Sequence, residues 1–112
     1  MEFIENTLIE DFSTEGAVLC KGIFLDWLDP LRIGVDKLIQ NPSVRERSYT
    51  PEDGTASFFQ DLVNWDRIPE FKDFIFKSKI GFYAAKLMKS KKSIFFHDHV
   101  LVKEPGSSIV TP

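Results

Sequence analysis

The sequence contains one cysteine, Cys20, among 112 residues. A single thiol excludes both an internal disulfide framework and a zinc site built from several cysteines. Cys20 ends the apolar run 17–20, a setting typical of a small core residue. A chain without disulfides is typical of reducing compartments, and we therefore expect a cytoplasmic protein.

Long apolar runs are also missing. No run approaches the roughly 18 consecutive apolar residues that indicate a membrane-spanning helix. The acidic N-terminus lacks the basic region of a signal peptide. We therefore expect no membrane partner. The sequence also shows no glycine-rich phosphate-binding loop and no pairing of a nucleophile with a general base.

Positive charge is in the minority, with 14 Lys and Arg against 17 Asp and Glu. The local basic run consists of Lys86, Lys89, Lys91 and Lys92, with no arginine among them. Lysines near a helix end are favourable to the helix dipole, and we prefer this role to a nucleic-acid surface. We therefore expect no nucleic-acid partner. A basic rim that attracts an anionic substrate group is a weaker alternative.

Apolar residues make up 43% of the chain, and eleven of its fifteen aromatic residues are phenylalanine. Phenylalanine buries a large apolar area per residue, which indicates a folded domain with a core. The length suits a single domain over residues 1–112.

The apolar spacing predicts an order of helix, strand, helix, loop, two or three helices and strand, which is the α+β class. The predicted elements are a helix ending near Phe12, a strand over 16–24, and a helix capped by Asp26 or Asp29 that ends before Asn41. Residues 58–65 are again apolar, without an assigned type, and a helix follows from Pro69 with Phe71, Phe74 and Ile75 on one face. A further helix over 79–90 and a strand over 93–103 complete the order. Gly81 is the predicted kink or break between the last two helices.

Residues 41–57 contain two prolines, one glycine and few apolar side chains, a composition that predicts a loop. Loops of this length are uncommon in compact domains and are often functional. A solvated connector is the alternative that we favour for this segment.

Three titratable residues, His97, Asp98 and His99, interrupt the last apolar run. Ionisable groups in an apolar strand are costly to bury unless they are paired, so they often face a polar cavity. Side chains two apart on a strand share a face, which places His97 and His99 together and Asp98 opposite. Two imidazoles alone make an incomplete metal site. We expect one face to line a cavity and the other to be satisfied by hydrogen bonds.

This segment resembles the strand and turn that precede the iron-binding motif of the phytanoyl-CoA dioxygenase family. The likeness rests on Phe96-His97-Asp98, on Val102-Lys103-Glu104-Pro105-Gly106 and on Thr111-Pro112. Less specific likenesses lie in 16–24, in 31–43 and in 65–71. The resemblance implies a double-stranded β-helix, the jelly-roll or cupin-like fold, of which this chain would hold the N-terminal helices and first strands as an incomplete barrel.

The resemblance also implies a function. The parent enzyme would be a non-haem Fe(II), 2-oxoglutarate-dependent dioxygenase that hydroxylates a small organic or acyl-CoA-type substrate. By this resemblance, the residues that would line its pocket for substrate or 2-oxoglutarate are His97 and His99, or alternatively Asp98. Lys103 could meet a carboxylate of 2-oxoglutarate, although its position at the strand end favours solvent exposure. The family's His-x-Asp iron motif does not occur in the 112 residues. We therefore expect an inactive N-terminal fragment, with no catalytic residue and no metal ligand. Substrate, iron and 2-oxoglutarate would bind only when the missing half of the enzyme is present.

A small non-catalytic α+β protein-interaction domain is the alternative reading. It predicts a closed core in which His97 and His99 lie without a cavity. In either reading an open sheet edge would allow pairing with a second copy as a homodimer, because unpaired strand edges recruit partners.

Overall fold

The structure is a computed structural model, and it describes residues 4–108. A short 3-10 helix, Leu25–Trp27, leads into the second α-helix. The elements in chain order are α1 (Asn6–Glu15), α2 (Leu28–Gln40), β1 (Phe58–Leu62), α3 (Pro69–Lys77), α4 (Ile80–Leu87) and β2 (His99–Lys103). The α+β class predicted from the sequence is confirmed.

Helix α2 follows the predicted spacing, with Leu31, Val35 and Leu38 on one face and Leu38 fully buried. It packs closely on α3 at Gly34, where a Cβ atom would lie 2.6 Å from Cε1 of Phe71. Only glycine therefore permits this approach of the two helices. Helix α3 begins at Pro69, a favourable first-turn residue.

The sheet is an antiparallel pair in which Gln60 of β1 lies opposite Leu101 of β2. Residues 47–49 run along the other side of β1. There, Tyr49 and Phe58 exchange two main-chain hydrogen bonds of 2.9 Å, and the amide of Arg47 donates to the carbonyl of Gln60 at 3.0 Å. The main chain of β1 is thus bonded on both sides, whereas β2 borders β1 on one side.

The core lies between α2, α3 and the sheet. Its buried centre is Leu38, Ile68 and Phe71, with these partly buried residues around it: Leu31, Val35, Phe59, Trp65 and Val100. The chain exposes 8086 Å² of surface, whereas a compact monomer of this mass exposes about 6,300 Å². Its radius of gyration is 16.3 Å, against about 13 Å for a compact domain of this length. The chain therefore leaves more surface uncovered than a closed domain does.

The strand predicted over 16–24 is wrong. Residues 17–20 have no regular structure, and 21–24 form a turn. Gly16 ends α1 with a φ of +80° and Gly22 has a φ of +74°, so the chain changes direction at both ends of the apolar run. No described strand lies beside it, and Leu19 is exposed.

The strand predicted over 93–103 forms only over His99–Lys103. Its partner, β1, ends at Leu62, and Val63 turns away with a φ of +57°. Residues before Asp98 therefore have no strand to pair with. Strand β1 falls in the apolar stretch 58–65, for which the sequence predicted no strand. The predicted sheet beyond this pair stays a prediction, since the described residues form a two-stranded sheet.

Two helix boundaries differ from prediction. Helix α1 continues to Glu15 rather than ending near Phe12, and Gly16 closes it in the left-handed conformation. The break between α3 and α4 lies at Ser78 and Lys79, not at Gly81, because Lys79 adopts a φ of +66°. Among the described residues, none of the helices has the length and apolarity that a bilayer crossing requires.

Candidate functional site

An open groove of about 650 Å³ lies between α2, α3, α4 and the segment 93–100. Its walls are aliphatic and aromatic, and Ser93 and Asp98 contribute the polar side chains of its lining. The apolar part of the lining is Leu31, Val35, Phe71, Phe74, Ile75, Phe76, Ile80, Ala84, Met88, Ile94, Phe95, Phe96 and Val100. A volume of this size is typical of small-molecule sites, and the lining favours an apolar occupant.

Asp98 borders the groove, but its carboxylate is used inside the fold. Oδ2 accepts hydrogen bonds from the amides of Asn64 at 2.8 Å and Trp65 at 2.9 Å, and Oδ1 lies 3.1 Å from the Asn64 amide. The carbonyl of Asp98 accepts from the amide of Val63 at 3.0 Å. Asp98 therefore fastens the entry of β2 to the turn that leads into α3.

Val63 is strained, because a φ of +57° is unfavourable for a β-branched side chain. Neighbouring groups hold it in place. Arg45 donates from Nη2 to the carbonyl of Val63 at 2.6 Å and from Nε to that of Leu62 at 2.9 Å. Such a conformation persists only where the surroundings fix it, and it is often found near functional sites.

Asp61 is fully buried in β1. Its carboxylate accepts from the hydroxyl of Ser43 at 2.5 Å, from the amide of Ser43 at 2.7 Å and from the amide of Leu62 at 2.8 Å. Burial alone would raise the pKa of Asp61, but these hydrogen bonds outweigh it and hold the pKa below its ordinary value. Asp61 therefore anchors the start of the loop 41–57 to the sheet as an ionised group.

Asn64 is also fully buried and completes the same cluster. Its Nδ2 donates to the carbonyl of Leu62 at 3.0 Å, and its Oδ1 accepts from Nε of Arg67 at 2.7 Å. Arg67 in turn donates from Nη2 to the carbonyl of Asn41, at the end of α2, at 2.8 Å. Within the described part of the chain, every buried side-chain nitrogen and oxygen has a hydrogen-bond partner.

The four predicted pocket residues do not converge. Asp98 lines the groove, while His97, His99 and Lys103 are exposed. Nε2 of His99 pairs with Oε1 of Gln60 at 3.2 Å, and the ring of His97 lies against that of Phe96. The exposure pattern of β2 alternates, with Val100 and Val102 turned inward. The groove-facing side therefore carries Asp98, not the two histidines.

A metal site is not present in residues 4–108, where no group of three or more His, Cys, Asp or Glu side chains could hold an ion. The described donors therefore do not fit a facial triad, which needs two imidazoles and a carboxylate that converge.

Asp61 and Asn64 were not among the residues that the sequence singled out. The signal that drew attention to Asp98 was present for them too, since both interrupt the apolar stretch 58–65. A buried polar residue in such a stretch needs a partner. Their partners, Ser43 and Arg67, lie 18 residues before Asp61 and 3 after Asn64, and nothing in the local pattern identifies them.

Comparison with known proteins yields no match to any family model, curated protein or solved structure.

Proposed function

We propose that this chain is the N-terminal portion of a non-haem iron, 2-oxoglutarate-dependent dioxygenase that hydroxylates a small organic or acyl-CoA-type substrate within a jelly-roll fold. The observation that carries the proposal is the segment 96–106, where the family resemblance is most specific. It contains the antiparallel strand β2 followed by a turn, in which Gly106 has a φ of +85°. A positive φ explains the glycine of the Pro105-Gly106 pair.

The arrangement of helices and strands supports the same reading. One face of the β1–β2 pair packs on α2 and α3 through Phe59 and Val100, as helices outside a barrel wall would. The groove and the excess exposed surface are what a partial barrel would leave uncovered. These features support an incomplete fold, while the chemistry rests on the resemblance.

Iron chemistry cannot be assigned to the described residues, because their donors do not fit a facial triad. In the proposal, this chain supplies the helical support and one wall of the pocket. Asp98 fixes the position of β2, and β2 presents Lys103 at its exposed end. The Lys103 ammonium would pair with a carboxylate of 2-oxoglutarate, whereas His97 and His99 would contact substrate only if a further segment covers their face.

The proposal includes a cytoplasmic location and no membrane or nucleic-acid partner. It rests on the lone, half-buried Cys20 and on a net charge of −3.

The coding sequence after codon 112 tests the proposal. A frame that continues into His-x-Asp and a distal histidine is expected. The complete protein should then release succinate from 2-oxoglutarate only with Fe(II) and oxygen present. A stop codon directly after Pro112, or a complete protein that does not turn over 2-oxoglutarate, would refute it.

Lys103→Ala in the complete protein sharpens this test. Loss of one charge-assisted hydrogen bond should raise the KM for 2-oxoglutarate by about tenfold or more. Lys91→Ala, which removes an exposed ammonium outside the strand, is the matched control and should leave that KM unchanged. An equal effect of both variants would remove Lys103 from the proposed pocket.

A non-catalytic interaction domain is the second candidate, and the observation that favours it is the position of His97 and His99, which are exposed and do not line the groove. It predicts a stop codon after Pro112 and no succinate release. The two candidates therefore differ in the outcome of the same experiment.

A further inference from the structure

The outer edge of β2 has main-chain groups directed away from the sheet. The main-chain groups of Phe58 and Gln60 form hydrogen bonds with residues 47–49. Because the bonding direction alternates along a strand, the main-chain groups of Phe59 and Asp61 point toward β2. These two residues lie opposite Val102 and Val100, respectively. On β2, His99 and Leu101 must then direct their amides and carbonyls outward. Within residues 4–108, no main-chain hydrogen bond outside the β1–β2 ladder reaches these groups.

The sequence of β2 is suited to pairing with itself. His99-Val100-Leu101-Val102-Lys103 has the same apolar pattern in both directions about Leu101. In an antiparallel pair related by a two-fold axis at Leu101, the two Leu101 side chains are neighbours. Val100 of each copy then lies opposite Val102 of the other. Cross-strand pairs of this kind are the unit of sheet stabilisation.

We propose that two copies of this chain associate by antiparallel pairing of their β2 strands around Leu101, which forms a four-stranded sheet. The inference goes beyond the proposed function and does not depend on it, because it uses only the edge geometry, the strand sequence and the exposed surface.

The chain as a whole leaves more surface uncovered than a standard interface takes from one partner. The chain exposes 8086 Å², about 1,800 Å² beyond a compact monomer of its mass, whereas a standard interface takes about 800 Å² from each partner. The same register places the turn after β2 of one copy beside the segment 94–97 of the other. There, Ile94 and Phe96 are 82% and 88% exposed.

The ends of β2 limit the assembly to a closed pair. Pro105 has no amide hydrogen, so the ladder cannot extend past the turn. The outer edges of the four-stranded sheet are residues 47–49 of each copy, which are distinct from the paired β2 edges. An isologous contact of this type uses the same surface twice and closes as a dimer.

Light scattering after size-exclusion chromatography of the 112-residue chain tests the proposal over a wide range of concentration. We expect a concentration-dependent dimer. Leu101→Lys should shift it to monomer, because two ammonium groups would meet at the axis. Leu19→Lys is the matched control, since Leu19 is an exposed leucine outside the sheet, and it should leave the dimer intact. A monomer at every concentration, a dimer that Leu101→Lys leaves unchanged, or open-ended larger assemblies would each overturn the proposal.

A second variant answers the concern that Leu101→Lys weakens the fold itself. Leu101→Cys, in a Cys20→Ser background, should form a disulfide-linked dimer on mild oxidation. The Cα atoms of a directly opposed hydrogen-bonded pair lie about 5.5 Å apart, within disulfide range. Leu19→Cys in the same background should stay uncrosslinked. Equal crosslinking of both, or of neither, would contradict the pairing, and circular dichroism confirms that each variant is folded.

Discussion

Two regions of this molecule meet at Asp98 and differ in how far their side chains are in contact with suitable partners inside the chain. On one side is the polar junction, formed by Asp61, Val63, Asn64 and the carboxylate of Asp98. There every buried side-chain nitrogen and oxygen of the described residues has a hydrogen-bond partner. On the other side is the apolar groove, whose walls include side chains as exposed as Ile94 and Phe96.

The difference follows from the physics of the two kinds of group. A buried carboxylate or amide needs hydrogen-bond donors or acceptors at fixed positions. A hydrogen bond that is left unmade there lowers the stability of the fold. Apolar surface has no directional demand, so it can be covered by any complementary apolar surface. The polar junction is therefore complete in itself and determines how β1, β2 and α3 are joined. The groove sets no comparable directional requirement on what could cover it.

Removal of the Asp61 carboxylate should produce the largest loss of stability. Asp61→Ala leaves the amides of Ser43 and Leu62 without an acceptor in a buried position. We expect the free energy of unfolding to fall by about 3 kcal/mol. Urea denaturation at one fixed protein concentration measures it. Asp66→Ala, at an exposed position, is the control and should change stability little; equal effects of the two would contradict the assigned role.

Asp98→Ala should cost somewhat less, about 2 kcal/mol, because it frees the amides of Asn64 and Trp65 at a half-buried position. The same variant tests whether Asp98 belongs to the polar junction or to the groove. If its role lay in the groove alone, the urea midpoint would not move. His97→Ala, one residue earlier and exposed, supplies the reference and should be close to neutral.

Gly34→Ala probes the boundary of the groove, where α2 meets α3. The added Cβ would lie 2.6 Å from the Phe71 ring, so side chains or helices must shift. Overpacking costs about 1–3 kcal/mol, and the higher helix propensity of alanine returns up to about 1 kcal/mol. We expect a net loss of about 1 kcal/mol in thermal or urea unfolding. Asp36→Ala on the exposed face of α2 should show no such loss, and a stabilised Gly34→Ala would disprove the close packing.

Acid should weaken the polar junction by a smaller, pH-dependent amount. The folded pKa of Asp61 lies below the ordinary value of 3.8. Its contribution is therefore fully present above that value and is lost as the pH falls through the lowered folded pKa. The difference in unfolding free energy between the natural chain and Asp61→Asn should shrink below about pH 4. A difference that stays constant through this range would mean that Asp61 is not held as an ion.

The helices were largely predictable from the sequence because their determinants are local. The spacing of Leu31, Val35 and Leu38 predicts α2, and Pro69 marks the first turn of α3. The strands were predicted less well, because a strand forms only where another lies beside it, and of the predicted strand 93–103 only His99–Lys103 forms. The run 16–24 has strand composition without a neighbour, and β1 was missed although it has two.

The candidate site divides in the same way. The sequence indicated that Asp98 needs partners, because a carboxylate in an apolar run cannot be buried alone. It could not show that those partners are amides 33 and 34 residues earlier, because that contact depends on the turn at Val63. The exposure of His97 and His99 likewise follows from the register of β2 on β1, which is a tertiary property.

Phe96→Ser should have the smallest effect on the free energy of unfolding. It therefore provides the clearest contrast with substitutions in the polar junction. Phe96 is 88% exposed in the single chain, so at a protein concentration low enough for the monomer its replacement removes little buried area and should change the free energy of unfolding by less than about 0.5 kcal/mol. Phe71→Ser, at a buried position of the core beneath the groove, should cost about 3 kcal/mol or more. If the two substitutions cost the same, Phe96 would be covered in the molecule that exists in solution. Repeating the measurement over a range of concentration would then show whether the cover is a second copy, because stability gained from association rises with protein concentration.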